Sequence, residues 1–193
     1  MQTLETERLL LRGWDINDAD DLYAYAKNPK VGPDAGWEPH ASKEVSLSIL
    51  HSFIEKDEVW AIVHKEDRKV IGSIGLHPDK KRDHASAKML GYVLSEDYWR
   101  RGLMTEAARR VIRHAFEAMG TDLLSIYHFP FNARSKRVIE KCGFRYEGTL
   151  RQAYRLYDGQ FLDEVCYSLL KDEYFGRDMN ASQTNPASGK NAL

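Results

Sequence analysis

The sequence predicts a single α/β domain, and three observations carry that reading. The chain has 193 residues, the length of one domain with at most a short appendage. From Ala107 onward, Ala107, Ala108, Val111, Ile112, Ala115, Phe116 and Met119 fall on one helical stripe, with Glu106, Arg109, Arg110, Arg113 and Glu117 on the other face. Before that helix, the β-rich runs Val59–Val63, Val70–Leu76 and Lys88–Leu94 are separated by polar turns, as strands joined by tight connections are.

In order, Arg8–Arg12 reads as a first strand, buried over most of its surface. Asp15 or Asn17 caps a helix running to about Asn28, with Leu22, Tyr23 and Ala26 facing in, and Pro29 stops it. Asn28 to His40 holds Pro29, Gly32, Pro33, Gly36 and Pro39 and is a loop. The same loop carries Trp37, Glu38 and His40, a set that can line a substrate pocket, or of which Trp37 merely pins the loop to the core. Ser42 starts a second helix to Lys56, with Val45, Ile49 and Phe53 as its apolar face. The hairpin Val59–Leu76 follows, then the strand Lys88–Leu94, where Gly91 points to a bulge or a close backbone approach. After the central helix, Gly120 takes the left-handed cap, and Leu123–Tyr127 is a fifth strand. Asn132 caps a short helix through Cys142 with Val138, Ile139 and Cys142 inward and Gly143 at its end. Asp158–Gly159 is a hairpin turn, and Val165–Leu170 is the last strand. Residues 1–175 form the domain. Gly176 to Leu193 is polar, lacks periodicity and is expected to be a disordered tail.

Hydrophobic residues make up 42 % and charged residues 30 % of the chain, with a net charge of −1. That balance supplies no general attraction to nucleic acid or to an anionic membrane. No apolar run spans a bilayer. The first seven residues are polar and acidic, which argues against a secretory signal. Two cysteines fit a reducing compartment, so the expectation is a cytoplasmic protein. There is no P-loop motif and no metal-ligand spacing among the seven histidines. Cys142 beside Val138 and Ile139 reads as a core thiol. Lys80-Lys81-Arg82 is most simply a solvated turn, with an extra phosphate contact as the alternative.

The chemistry concentrates where Ser95–Ala107 empties into the central helix. Arg100, Arg101 and Gly102 precede a helix N-terminus, whose first N–H groups lack partners and whose dipole favours an anion, most often a phosphate. An ordinary glycine turn with a solvated arginine pair is the plain alternative.

Tyr98-Trp99, Gly102 and Thr105-Glu106-Ala107 resemble the acetyl-CoA pyrophosphate loop of the GNAT (Gcn5-related N-acetyltransferase) superfamily. The likeness is greatest to its ribosomal-protein N-terminal (RimJ/RimL-like) and polyamine acetyltransferase branch. Arg100 departs, standing where glycine is common, and Met104 stands where glycine or alanine is usual. Asn132-x-x-Ser135 followed by Val138-x-Glu140-Lys141-x-Gly143-Phe144 resembles the same branch, about thirty residues on and in the family's order. The likeness covers roughly Leu4 to Tyr174. It implies a mixed, mostly antiparallel sheet of about seven strands flanked by about four helices and splayed between the fourth and fifth strands.

The function implied is acetyl transfer from acetyl-CoA to a primary amine, which is a protein N-terminus, a polyamine or another small amine. The protein is expected as a monomer or homodimer, with no nucleic acid, membrane or metal partner. By resemblance, the backbone of Tyr92, Val93 and Leu94 holds the pantetheine arm and thioester. Arg100, Arg101, Gly102, Leu103, Met104 and Thr105 hold the pyrophosphate, and Asn132 and Ser135 also contact the cofactor. Many members place a proton-donating tyrosine where Ile139 stands here. Ser135 is the substitute in the ribosomal-protein branch, or is merely a helix residue bonding backbone. That branch can carry an acid after the Gln-Ala pair. Tyr154 follows Gln152-Ala153 here, so no acid is available, and Tyr154 stays beside Ser135, Glu38 and His40 among the catalytic candidates. His77 or a water is a further candidate base. Ile139 and Tyr154 also leave open a catalytically silent acyl-CoA sensor, and an adaptor on the same fold is the third reading.

Overall fold

The computed structural model describes residues 1–176, so the expected tail lies, apart from Gly176, outside the described residues. The strands are β1 (Leu4–Glu5), β2 (Leu9–Arg12), β3 (Val59–His64), β4 (Lys69–Pro78), β5 (Ala87–Leu94), β6 (Leu123–His128), β7 (Arg145–Arg155) and β8 (Phe161–Leu170). The helices are α1 (Ala19–Ala26), α2 (Lys43–Lys56), α3 (Leu103–Ala118) and α4 (Ala133–Lys141), with 3-10 turns at Ile16–Asp18, Pro33–Ala35 and Glu96–Tyr98, and residues 171–176 are helical as well. The strands form one sheet of order β1-β2-β3-β4-β5-β6-β8-β7. Every neighbouring pair is antiparallel except β5 with β6, which run parallel. The eighth strand is β1, whose two residues are too short to carry a period.

Helices cover both faces. The stripe of α3 is buried against one face, where Val111, Ile112 and Phe116 are at most 2 % exposed. Each such side chain contributes about 1.5–3 kcal/mol by leaving water. Trp60, Ile62, Ile74, Leu90, Leu124 and Ile139 share that core. The smaller core on the other face joins α1 to Leu50, Ala61 and Val70. Gly120 takes a left-handed φ of 67° past the end of α3, while Met119 leaves the stripe and is exposed.

Two expectations about inward faces change, and one about a bulge. Tyr25 rather than Tyr23 is the buried tyrosine of α1, because the helix starts only at Ala19, after a 3-10 turn capped by Asp15. On α2 the sealed residues are Ser46 and Leu50, while Val45 and Ile49 are 41 % and 37 % exposed. Val45 and Ile49 line a cavity, while Phe53 of the same face also packs against the core. Gly91 makes no bulge against β4, since the register from Gly72↔Leu94 to Pro78↔Lys88 is unbroken and Gly91 pairs directly with Gly75.

The split lies on the other side of β5. Pairing with β6 stops at Met89↔Ser125, while β6 continues to His128 on β8. Beyond Met89 the two strands part.

Candidate active site

A cavity of about 790 Å³ occupies that split. Residues from both helical layers line it: Leu103, Thr105, Asn132, Ser135 and Val138 from the α3/α4 side, and Trp37, Val45, Ile49 and His77 from the α1/α2 side. It therefore reaches across the sheet rather than sitting on one face.

The phase of the backbone decides which groups of β5 face the gap. The Ser95 amide donates to the Ile71 carbonyl, directly opposite it by continuation of the β4–β5 register. Hydrogen-bonded pairs alternate along an antiparallel ladder, so Val93 and Gly91 direct their main-chain groups to β4. Leu90, Tyr92 and Leu94 direct theirs toward β6. The Leu94 carbonyl already accepts from Trp99 Nε1 at 2.8 Å. Of the three residues expected to present backbone to the gap, Tyr92 and Leu94 do so and Val93 does not.

At one end of the cavity the chain enters α3. Arg100 and Gly102 both take positive φ, 63° and 76°, which explains why glycine suits both positions. The Gly102 carbonyl accepts the first helical bond from Glu106, so the amides of Leu103, Met104 and Thr105 have no partner within the helix. Arg8 braces this turn. Its amide and guanidinium donate to Glu106 at 3.0 and 2.8 Å, and Nη1 donates to the Arg101 carbonyl at 3.0 Å. Burial works to raise the Glu106 pKa, and the hydrogen bonds from Thr6 and Arg8 override it and hold the carboxyl below its usual range. Arg101, unlike Arg100, does not line the cavity; its guanidinium lies over the Tyr98 ring.

Asn132 caps α4 through Oδ1, which accepts from the Ser135 amide at 3.0 Å. Its Nδ2 donates to the Asp34 carbonyl at 3.1 Å. Arg134 pairs with the Asp34 carboxylate and lies over Trp99 at 4.0 Å. The loop before α2 is thus tied to the start of α4. Tyr154 holds the same loop from another strand: its hydroxyl donates to the Gly36 carbonyl at 3.3 Å. A Cβ at Gly36 would fall 2.7 Å from that ring. A register shift between Leu150 and Tyr154, with Gln152 at φ 48°, re-aims the tyrosine. Burial raises its pKa.

The Ser135 hydroxyl lies 3.0 Å from the Tyr92 hydroxyl. Burial pushes the Tyr92 pKa up, with the Ser135 bond opposing, so this is a neutral hydroxyl pair. On the α1/α2 side, His40 Nδ1 is 2.7 Å from Ser46 Oγ and its ring lies near Trp37. Burial lowers the His40 pKa, which favours the neutral ring. Glu38 is exposed at the rim. His77 Nδ1 is 3.1 Å from Glu58 Oε2.

The stretch after β4 is exposed at Lys80 and Lys81, as expected of a solvated turn, yet two of its cations have acidic partners. Lys81 pairs with Glu164 at 2.5 Å, and Arg82 pairs with Asp79 and Glu147. Burial of Asp79 works to raise its pKa, but bonds from Ser125, the Lys81 amide and Tyr127 hold it below the usual range. Lys81 and Arg82 are thus held by carboxylates. The Tyr92 side chain, Glu58, the Arg8 brace and this cluster went unread in the sequence, because each joins residues distant in the chain, 98 apart for Arg8 and Glu106.

Residues 8–145 match the family described as Acetyltransferase (GNAT) domain. The chain belongs to the GNAT family. Among similar proteins, the uncharacterized N-acetyltransferase YoaA of Bacillus subtilis (strain 168) is 33 % identical over 173 residues, 87 % of this chain and 96 % of that one. The ribosomal protein uS5-alanine N-acetyltransferase of Escherichia coli (strain K12) is 25 % identical over 182 residues, 89 % of this chain and 92 % of that one. Among solved structures, the GNAT-family acetyltransferase from Bacillus anthracis superposes with a TM-score of 0.80 at 22 % identity, covering 89 % of this chain and all of that one. This GNAT protein is an N-acetyltransferase with acetyl-CoA as co-substrate. Among its described residues, no helix is long and apolar enough to cross a membrane, and no histidine, cysteine and carboxylate group is arranged to hold a metal.

Proposed function

We propose that this GNAT enzyme transfers acetyl by direct attack of a primary amine on the thioester, with the two reactants meeting inside the split between β5 and β6. The observation that carries the reading is the cavity across the sheet, which joins a free helix N-terminus on one face to an apolar, aromatic recess on the other. Acetyl-CoA lies along the α3/α4 side. Its pyrophosphate takes the unpartnered amides at Leu103, Met104 and Thr105 with the turn from Arg100 to Gly102. Its thioester meets the main chain of Tyr92, where a backbone N–H stabilises the oxyanion. Ser135, backed by the Tyr92 hydroxyl, gives a proton to the departing thiolate. Asn132 serves the site by fixing the helix start that carries Ser135.

The acceptor comes from the α1/α2 side, past Trp37, Val45 and Ile49. A peptide N-terminus is the first acceptor to test, because a relative is named as a ribosomal protein uS5-alanine N-acetyltransferase. The experiment follows free thiol and acetylated product together, across an alanine-initiated peptide, a polyamine and an aminoglycoside. Matched release of thiol and acetyl-amine supports the reading. Acetyl-CoA binding without product in any arm overturns it.

A further inference from the structure

We propose that His77 is the general base that takes the proton from the acceptor amine, and that Glu58 is the positioning residue that holds its ring for the task. The proposal rests on the direct-attack reading above.

The tautomer follows from the partner. Glu58 Oε2 lies 3.1 Å from His77 Nδ1, and a carboxylate only accepts. Nδ1 therefore carries the hydrogen, and in the neutral ring the lone pair is on Nε2. The placement follows from two glycines. A Cβ at Gly75 would fall 2.9 Å from Nε2, and one at Gly91 would fall 3.8 Å from it. Gly75 and Gly91 are directly opposed in the β4–β5 register. The pair of glycines thus makes a flat bed for the imidazole, one residue before the Tyr92 main chain that faces the split.

Side matters as much as distance. Side chains alternate across a strand, so His77, Gly75 and Gly91 share the α1/α2 face, whereas Tyr92 reaches Ser135 on the α3/α4 face. A proton is taken on the face where the amine arrives and given on the face where the thiolate departs. His77 lines the cavity, and its side chain is 33 % exposed, so a proton it takes can pass on to water. His40 lacks this fixed direction, because its partner Ser46 is a hydroxyl that donates or accepts.

The step balances. The amine arrives as an ammonium ion and loses one proton to Nε2, from which it passes to solvent. The nitrogen lone pair forms the C–N bond as the C–S bond breaks. The new amide nitrogen then sheds its second proton to solvent, while the thiolate gains one from the Ser135 hydroxyl, which is restored from solvent through Tyr92.

The test uses His77→Gln, His77→Ala and Glu58→Gln in the full chain, with acetyl-CoA affinity by calorimetry as the sign of a folded cofactor site. Loss of a general base lowers the rate by about 10² to 10⁴. His77→Gln is expected to lose turnover on that scale with acetyl-CoA affinity within twofold of the parent's, taking twofold as on the order of RT ln 2. Added imidazole is expected to restore part of the turnover of His77→Ala and none in the parent. Glu58→Gln is expected to lower kcat less than His77→Gln does, with the acetyl-CoA KM unchanged. Parent-like turnover of His77→Gln overturns the proposal, as does failure of imidazole to rescue a His77→Ala protein that still binds acetyl-CoA. A parent enzyme that acetylates no amine overturns the underlying reading instead, so the two failures are distinct.

Discussion

The hydroxyls of Tyr92 and Ser135 lie 3.0 Å apart across the gap between β5 and α4. They join the strand whose Tyr92 main chain faces the split to the helix that carries Ser135. Tyr92→Phe removes this partner without touching the main chain. We expect it to lower kcat while acetyl-CoA affinity holds. Ser135→Ala should cost up to about 10² in kcat, toward the low end for a general acid because serine is a weak one. In steady-state kinetics the double variant should be no slower than Ser135→Ala alone, since the two act as a unit. Additive losses would separate their roles.

Glu106 links stability to pH through Arg8. Its folded pKa is depressed, so its contribution is present above the unfolded value of about 4.3 and is lost as pH falls through the folded value. Arg8 is 42 % exposed in its side chain, so solvent screens the pair and Glu106→Gln should cost only about 1 kcal/mol at neutral pH. Thermal unfolding of both proteins should show their gap closing below about pH 4. A gap that is the same at every pH would contradict the assignment.

The two left-handed residues of the α3 turn make opposite predictions. At φ 76°, Gly102→Val puts a β-branched residue where an L-side chain costs about 1–2 kcal/mol. It also crowds the anion site, so acetyl-CoA affinity measured by calorimetry should fall at least about tenfold, or 1.4 kcal/mol. Arg100→Gly, at φ 63°, relieves strain instead. Its melting temperature should not fall, and its acetyl-CoA affinity should persist, since backbone amides rather than the guanidinium hold the phosphate.

Asn132 has two separable jobs. Asn132→Ala loses the cap, about 1 kcal/mol, together with the tether to the Asp34 carbonyl. Asn132→Asp keeps an accepting oxygen for the Ser135 amide but cannot donate to Asp34. Denaturant unfolding should therefore find Asn132→Asp nearly as stable as the parent, while its KM for the amine rises and its KM for acetyl-CoA does not. Equal change in both constants would show that the tether serves the cofactor side as well.

The sequence was most legible where a pattern is local. The α3 stripe, the Asn132 cap and the Asp158–Gly159 turn between β7 and β8 follow from spacing alone, and the order of the two motifs pointed to the fold and the cofactor. It was least legible where a face is chosen by tertiary packing. Val45 and Ile49 look like core residues because they are apolar at helical spacing, yet α2 seals Leu50 and Ser46, and Val45 and Ile49 line the cavity. Nothing in Lys80-Lys81-Arg82 announces Glu164 and Glu147 as partners. Glu58 and His77 are nineteen residues apart, and only the β3–β4 hairpin brings them together.

The split between β5 and β6 also constrains the order of events. A slot with a mouth on each face lets both reactants sit in it at once, so neither product must leave before the second reactant arrives. Initial-rate lines plotted as reciprocals should intersect rather than run parallel. A stored acetyl group would need a nucleophile, and the thiols are poor ones. Burial holds Cys142 up to about 11 and raises Cys166 as well, leaving little thiolate at neutral pH. Protein incubated with acetyl-CoA and no amine should keep its original mass.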